Sequence, residues 1–410
     1  MKIVAPMRIV LRVWGGRRIT CRAGVPAALC SRHGCTTNQE AISRSPLCAV
    51  AALAIVLHAT FPQAWAAPPA NLEEVVDSIA TDAIKSGSTV GLSIAIAKGA
   101  DIVLAKGYGL ADFESEVPAT AETVYRIGSI TKQFTAAAIL LLMEEEKIGI
   151  DDPLTKFLSD YPTQGRTVTI RHLLQHTSGI KSFTDLPSYR KQMRLDVSHD
   201  DILNRFKDEP FHFAPGENYR YCNSGYYLLG VILEQVAERS FEEFLQQRIF
   251  SPLQLKRTFY DRHARIIPHR ARGYSRWGGE LSNARYLSMT QPFAAGALAS
   301  TVGDLVRWQR ALLSNELLTA SSYKLMTTAG TLTNGTSIDY GLGTFLRKQG
   351  DHATVGHGGG INEFRSELVY YPENDYTIVV LANSGNAQPA QITKGIAGQL
   401  FGVGQENANK

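Results

Sequence analysis

Tyr125-Arg126-Ile127-Gly128-Ser129-Ile130-Thr131-Lys132-Gln133-Phe134-Thr135-Ala136-Ala137-Ala138-Ile139-Leu140-Leu141-Leu142-Met143 decides the fold. Gly128-Ser129 reads as the start of a helix, because a small hydroxyl residue leads into a run whose strongly polar members, Lys132 and Gln133, fall in its first turn. Residues 134–143 are apolar on every side of that helix. A helix of this kind is buried inside a large domain rather than lying on a surface. Ser129 and Lys132 then stand three residues apart, on one face, at the mouth of a buried helix.

That pairing has a chemical meaning. Serine is a weak nucleophile until a base takes its proton, and lysine serves as that base only when burial or nearby positive charge lowers its pKa. A buried helix N-terminus supplies both influences, and its outward N–H groups stabilise a developing oxyanion. The spacing alone does not single out the site, since Ser178…Lys181, Ser188…Lys191 and Ser321…Lys324 repeat it. Context separates Ser129, and the case needs partners elsewhere.

Moving outward, Tyr221-Cys222-Asn223 follows the turn-rich Pro215-Gly216-Glu217-Asn218 and precedes an apolar helical run. Polar side chains on such a loop are well placed to enter a cleft. A tyrosine near a lysine can accept and return the serine proton, and an asparagine can hold a substrate carbonyl or the lysine amine. A tyrosine packed at a helix start is the plainer alternative. Farther on, His357-Gly358-Gly359-Gly360 follows a β run. Glycines at a strand edge let another backbone approach closely, as a peptide-like substrate would. No Gly-Lys-Ser/Thr follows to suggest phosphate binding, and no Gly-x-Ser-x-Gly elbow accompanies the His-Gly-Gly-Gly run as in lipases.

Taken in order, Ser129-x-x-Lys132, Tyr221-x-Asn223 and His357-Gly-Gly resemble the three motifs of the serine β-lactamase and penicillin-binding protein superfamily. The resemblance is greatest to its branch of class C β-lactamases, D-alanyl-D-alanine carboxypeptidases, D-aminopeptidases and esterases. The segments His172-Leu-Leu-Gln-His176-Thr-Ser-Gly179, Pro215-Gly216, Ala295-Gly296…Asp304-Leu305 and Gly356 to Gly360 also fit, so it spans roughly residues 72–400. The resemblance implies Ser129 as the acylated nucleophile, Lys132 as its activating partner and Tyr221 as the general base and acid. It implies that Asn223, His357, Gly358 and Gly359 contact substrate, and that the N–H groups of Ser129 and Gly360 form the oxyanion hole. It implies no cofactor and no metal, and assigns the His172/His176 pair to the fold rather than to metal ligation. Many efficient β-lactamases of the superfamily carry lysine where His357 stands. A neutral imidazole attracts a drug carboxylate less than an ammonium does, which shifts the expectation towards peptidase or esterase chemistry. Arg365 is one candidate for the missing charge.

Outside these motifs, residues 71–85 read as an amphipathic helix and residues 90–97 and 102–107 as a hairpin. Residues 198–207, 226–250 and 305–313 read as helices, the last in strand-free surroundings. Residues 340–346, 352–356, 363–371 and 376–382 read as strands, and residues 390–401 as a closing helix. The expected fold is α/β in the α+β sense and, by the resemblance, β-lactamase/transpeptidase-like. Its antiparallel sheet is formed by both chain ends and flanked by helices, with a mostly helical lobe inserted. The catalytic domain is placed at 67–404, its sheet lobe at about 67–125 and 310–404, its helical lobe at about 126–309, and a tail at 405–410.

The 410 residues are 44% hydrophobic and 20% charged, enough for a large core. The formal charge of +4 is an amino-terminal effect, since residues 1–66 carry eight Lys/Arg and the single acid Glu40. The remainder carries a formal charge of about −3, which argues against a nucleic-acid footprint on the main body. Arg44, an apolar run over residues 47–60 that is too short to span a bilayer, and Ala64-Trp65-Ala66 read as a secretory signal over about 43–66. Residues 1–42 read as an untranslated leader or an Arg-rich organelle-targeting segment. A periplasmic or secreted protein without a membrane span in its mature form is expected. Cys222 would be its only cysteine, and Cys30…His33…Cys35 offers too few ligands for zinc. The expected partner is a small-molecule or short peptide substrate. The expected function is a serine hydrolase of small esters or D-amino-acid amides and peptides. Its alternatives are a β-lactamase or low-molecular-weight penicillin-binding protein, and a catalytically silent binding module of the same fold.

Overall fold

The computed structural model describes residues 69–402, so the expected leader over 1–66 and the tail at 405–410 lie outside the described residues. The first helix, α1 (Leu72–Lys85), buries Leu72, Val76 and Ala80 at four-residue spacing. It packs on a seven-stranded sheet made of β1 (Gly91–Lys98), β2 (Asp101–Asp112), β3 (Val117–Pro118), β4 (Phe345–Gln349), β5 (His352–Ile361), β6 (Phe364–Tyr371) and β7 (Tyr376–Ala382). The strand order is β3-β2-β1-β7-β6-β5-β4, so the first and last segments of the sheet meet at its centre. There β1 runs antiparallel to β7, from Leu92 opposite Ala382 to Lys98 opposite Tyr376.

Both central strands are buried along nearly their whole length because both faces are covered. Leu92, Ile94 and Ile96 turn to the outer face, where Val76 and Ile396 complete a small core with α1 and the last helix. Ala95, Ala97, Leu368 and Leu381 turn to the inner face and join the large core around Phe134.

The decisive stretch forms a 3-10 turn, Gly128–Ile130, that runs straight into α2 (Thr131–Glu144). Residues 131–142 of α2 are buried throughout, as an all-apolar helix requires. Its polar members are paired: Trp308 Nε1 donates to Gln133 Oε1 at 3.1 Å, and Thr135 Oγ1 donates to Ala294 O at 2.6 Å.

Three expectations are corrected. The helix expected over 226–250 is two: α3 (Asn223–Ala237) ends where Glu238 turns left-handed at φ 53°, and Ser240 with Glu243 caps a new helix, Phe241–Leu245, that widens into Gln246–Phe250. The strand expected over 340–346 starts later, at Phe345, with Tyr340 reaching it only through an isolated bridge. Helix Val302–Leu313 is not strand-free at its start, since Leu298–Ser300 pairs between Tyr125–Arg126 and Phe259–Tyr260.

Candidate active site

The three motifs are carried by three different elements. Ser129 sits in the 3-10 turn and Lys132 in the first turn of α2, Tyr221 ends the loop before α3 and Asn223 opens that helix, and residues 357–360 lie in β5. The fold brings them together. Lys132 Nζ lies 3.2 Å from Ser129 Oγ, 2.8 Å from Asn223 Oδ1 and 2.8 Å from Ala295 O. The amine also stands 4.8 Å from the centre of the Tyr221 ring. All three donor positions of an ammonium are thereby used, and among the described residues no carboxylate pairs with it. Lys132 is fully buried, and that desolvation lowers its pKa to about 7. Serine itself is only partly buried, so its hydroxyl meets the outside while its lysine does not.

Among the described residues, the buried Tyr221 hydroxyl has no partner in hydrogen-bond geometry. Burial raises its pKa, and the nearby Ser129 hydroxyl draws it the other way. Behind it stands His176, whose ring centre is 4.2 Å away and whose Nδ1 accepts the Cys222 N–H at 3.1 Å, pinning the loop. His172 instead accepts from Thr169 N–H at the start of helix Ile170–Leu174. The helix ends before His176, which sits at φ 59°, so the two histidines do not share one helical face.

Asn223 is oriented from both sides. Its Oδ1 accepts from Lys132, and its Nδ2 donates to Thr184 Oγ1 at 3.0 Å. Thr184 was not among the expected residues. It lies 39 positions before Asn223, in a turn with no motif of its own.

On the facing wall, β4 pairs with β5 only as far as Gly356, opposite Phe345. Residues 357–361 pair with β6 on one side and leave their other edge open. Gly128, at φ 51°, explains how this edge meets the serine: a side chain there would stand 2.9 Å from Gly360 N. The N–H of Gly360 therefore lies against the turn that carries Ser129. His357 is buried and donates Nδ1–H to Gly358 O at 2.6 Å, while its Nε2 accepts from Tyr340 at 3.1 Å. This pairing fixes a neutral tautomer, and burial lowers the pKa to about 3. Arg365 does not restore a charge here. Ser366 turns towards Ile127 O on the serine side, so the neighbouring Arg365 faces the reverse of the sheet, lining a cavity of about 630 Å³ with Gln388 and Pro389.

Chemically, the arrangement places a hydroxyl, an amine able to be neutral near pH 7 and a second hydroxyl around one point beside an open strand edge. No group of three or more metal-ligating side chains occurs among the described residues.

The family model described as Beta-lactamase matches residues 76–399. Protein flp of Staphylococcus aureus (strain MW2) is 31% identical over 322 residues, 76% of this chain but 63% of that protein, so the chain spans less than two thirds of that relative's length. The octameric penicillin-binding protein homologue from Pyrococcus abyssi superposes with a TM-score of 0.72 at 29% identity, covering 82% of this chain and 78% of that one. The D-stereospecific amidohydrolase from Streptomyces sp. does so at 0.69 and 26% identity, covering 80% and 98%.

Proposed function

Because the chain belongs to the Beta-lactamase family, we propose that it is a serine hydrolase forming an acyl-enzyme at Ser129 on small esters or D-amino-acid amides and peptides. The observation that carries this reading is Lys132: a buried amine, depressed to about 7, within 3.2 Å of a part-exposed serine hydroxyl. Neutral Lys132, with Tyr221 beside it, takes the Ser129 proton as Oγ attacks the carbonyl carbon. The N–H groups of Ser129 and Gly360 hold the resulting oxyanion. Tyr221 gives its phenolic proton to the leaving group as the carbonyl re-forms and is reprotonated by Lys132, which regains its neutral form, leaving the acyl group on Oγ. Water then enters by the same proton route and releases the acid. Asn223 holds the Lys132 amine and the substrate amide, and Gly358 and Gly359 pair with the substrate backbone along the open edge of β5. No metal or cofactor enters these steps.

Ester or D-amide substrates are favoured over β-lactams by His357, which is neutral and committed to Tyr340 and Gly358 O, and so offers a drug carboxylate no cation. The printed name of the Streptomyces relative, a D-stereospecific amidohydrolase, supports the amide reading. A penicillin-binding role is the second reading, supported by the printed name of the Pyrococcus homologue. Export follows from the apolar run at 47–60 and Ala64-Trp65-Ala66.

Labelling with a fluorophosphonate followed by peptide mapping tests the nucleophile, and the rates on D- and L-phenylalanine amide and on p-nitrophenyl butyrate test the substrate class. The proposal expects the label on Ser129 and turnover of the ester or the D-amide. A label on another serine, or penicillin as the only compound turned over, contradicts it.

A further inference from the structure

Beyond Ile361 the open edge of β5 runs into a second cavity, of about 270 Å³, reached by Arg126, Asp261, Arg270, Arg272, Arg285 and Asn362. Arg126 ties it to the active site: it lies three residues before Ser129, and its Nη1 donates to Asn362 O, two residues past Gly360, at 3.2 Å. Four arginines line the cavity against one carboxylate, Asp261. The buried carboxylate of Asp261 is shared by two guanidinium groups, Arg126 at 2.7 Å and Arg270 at 3.1 Å. Arg270 donates Nη2 to Arg262 O and Arg265 O, and among the described residues its buried Nε has no partner. Arg272 pairs outside the cavity with Asp112 at 3.2 Å and with Glu114. Arg285 offers its main-chain carbonyl to Asn362 Nδ2 at 3.3 Å, holding the arginine-bearing loop against the end of β5.

The direction of the substrate follows from Tyr221. Its ring stacks on Phe345 and lies beside His357, so the group it protonates leaves at the His357 end of the open edge. The acyl part of the substrate then extends the other way, past Gly360 and Ile361, towards the arginines.

We propose that this cavity is an anion subsite that takes a carboxylate or phosphate carried on the acyl side of the substrate. The proposal rests on the acyl-enzyme reading above. Arginine suits the task because its planar fork meets carboxylate and phosphate oxygens in pairs and stays charged. An arriving anion would balance a cluster in which one aspartate faces two arginines.

The test compares p-nitrophenyl monoesters of dicarboxylic acids of increasing chain length with the same esters capped as methyl esters. The wild-type protein is set beside Arg285→Gln, Arg272→Gln and the double variant. The ratio of kcat/KM for the free-acid ester to that for the capped ester is the readout, so a general loss of activity does not imitate the effect. The proposal expects this ratio to reach about tenfold at one chain length and to fall towards unity in the double variant, in keeping with a charge-assisted hydrogen bond. Inorganic phosphate should compete with the free-acid ester at that length, and a free anion that binds there without affecting the ester ratio would mean an effector site and overturn the substrate assignment. A ratio near one at every length, or one unchanged in the double variant, overturns the subsite while leaving the hydrolase reading intact. If neither these esters nor D-phenylalanine amide is turned over, the hydrolase reading fails instead. Calorimetry of inorganic phosphate with Ser129→Ala then decides the anion site: saturable binding lost on adding Arg285→Gln and Arg272→Gln retains it, and no binding overturns it.

Discussion

At the scale of single residues, the account turns on an amine made neutral by burial. Lys132 must lose its proton to accept one from Ser129, so kcat/KM should rise with pH through an apparent pKa near 7. His357, lowered to about 3, stays neutral from pH 5 to 9 and adds no second limb. The same depression has a stability consequence. Between the folded value near 7 and the ordinary lysine value, the unfolded chain binds the proton and the folded one does not, so stability rises with pH across that window. Wild type should therefore gain about 2 kcal/mol relative to Lys132→Met from pH 7 to 9 in urea titrations. An equal slope in both would mean that the amine is not depressed. Thr184 offers a further test. Thr184→Val removes the acceptor of Asn223 Nδ2 and frees the amide to turn away from Lys132. A loss in kcat of about tenfold is expected, with the apparent pKa moved, where a merely structural role would leave the pKa in place.

At the scale of elements, close backbone approach decides what the sequence could reveal. Three glycines in a row read as a strand edge open to another chain, and β5 is such an edge. Their spacing could not tell which neighbour already sits on one side. A side chain at Gly359 would stand 2.1 Å from Ile127 O and 2.3 Å from Ser366 Oγ, so this glycine serves the docking of β5 on the serine turn. Gly359→Ala should cost about 1–3 kcal/mol by urea denaturation, because backbone cannot yield as a side chain does. A neutral substitution would contradict the packing. The motif residues were legible because each has a local pattern, a helix mouth, a turn before a helix or a glycine run. Thr184, Tyr340 and His176 were not legible in their present roles, since their bonds to Asn223, His357 and Cys222 span 39, 17 and 46 positions. The break at Glu238 had a signal, the Ser240…Glu243 capping pair, which the continuous apolar pattern across it overrode.

At the scale of the molecule, the sheet is closed by strands from opposite ends of the chain, and α1 and the last helix, α4 (Pro389–Phe401), cover its outer face. That strands flank a central helical stretch was legible from periodicity. Which strand pairs with which was not, because β1 and β7 are mostly apolar along both faces and either face would fit. Ile396 is fully buried in the outer core, and Ile396→Ala should cost about 2–4 kcal/mol by equilibrium unfolding, whereas an unchanged midpoint would contradict the packing. Export also belongs to this scale. Amino-terminal sequencing of the protein made in a secreting host should begin at about residue 67, and an intact Met1 would contradict the signal reading. The central claim is acylation of one serine. Intact-protein mass after brief exposure to p-nitrophenyl acetate and to penicillin tests it most directly, with wild type and Ser129→Ala side by side. The account predicts a transient acetyl adduct with ester turnover and little penicillin adduct in wild type, and neither in Ser129→Ala. An adduct or turnover that persists in Ser129→Ala would contradict it.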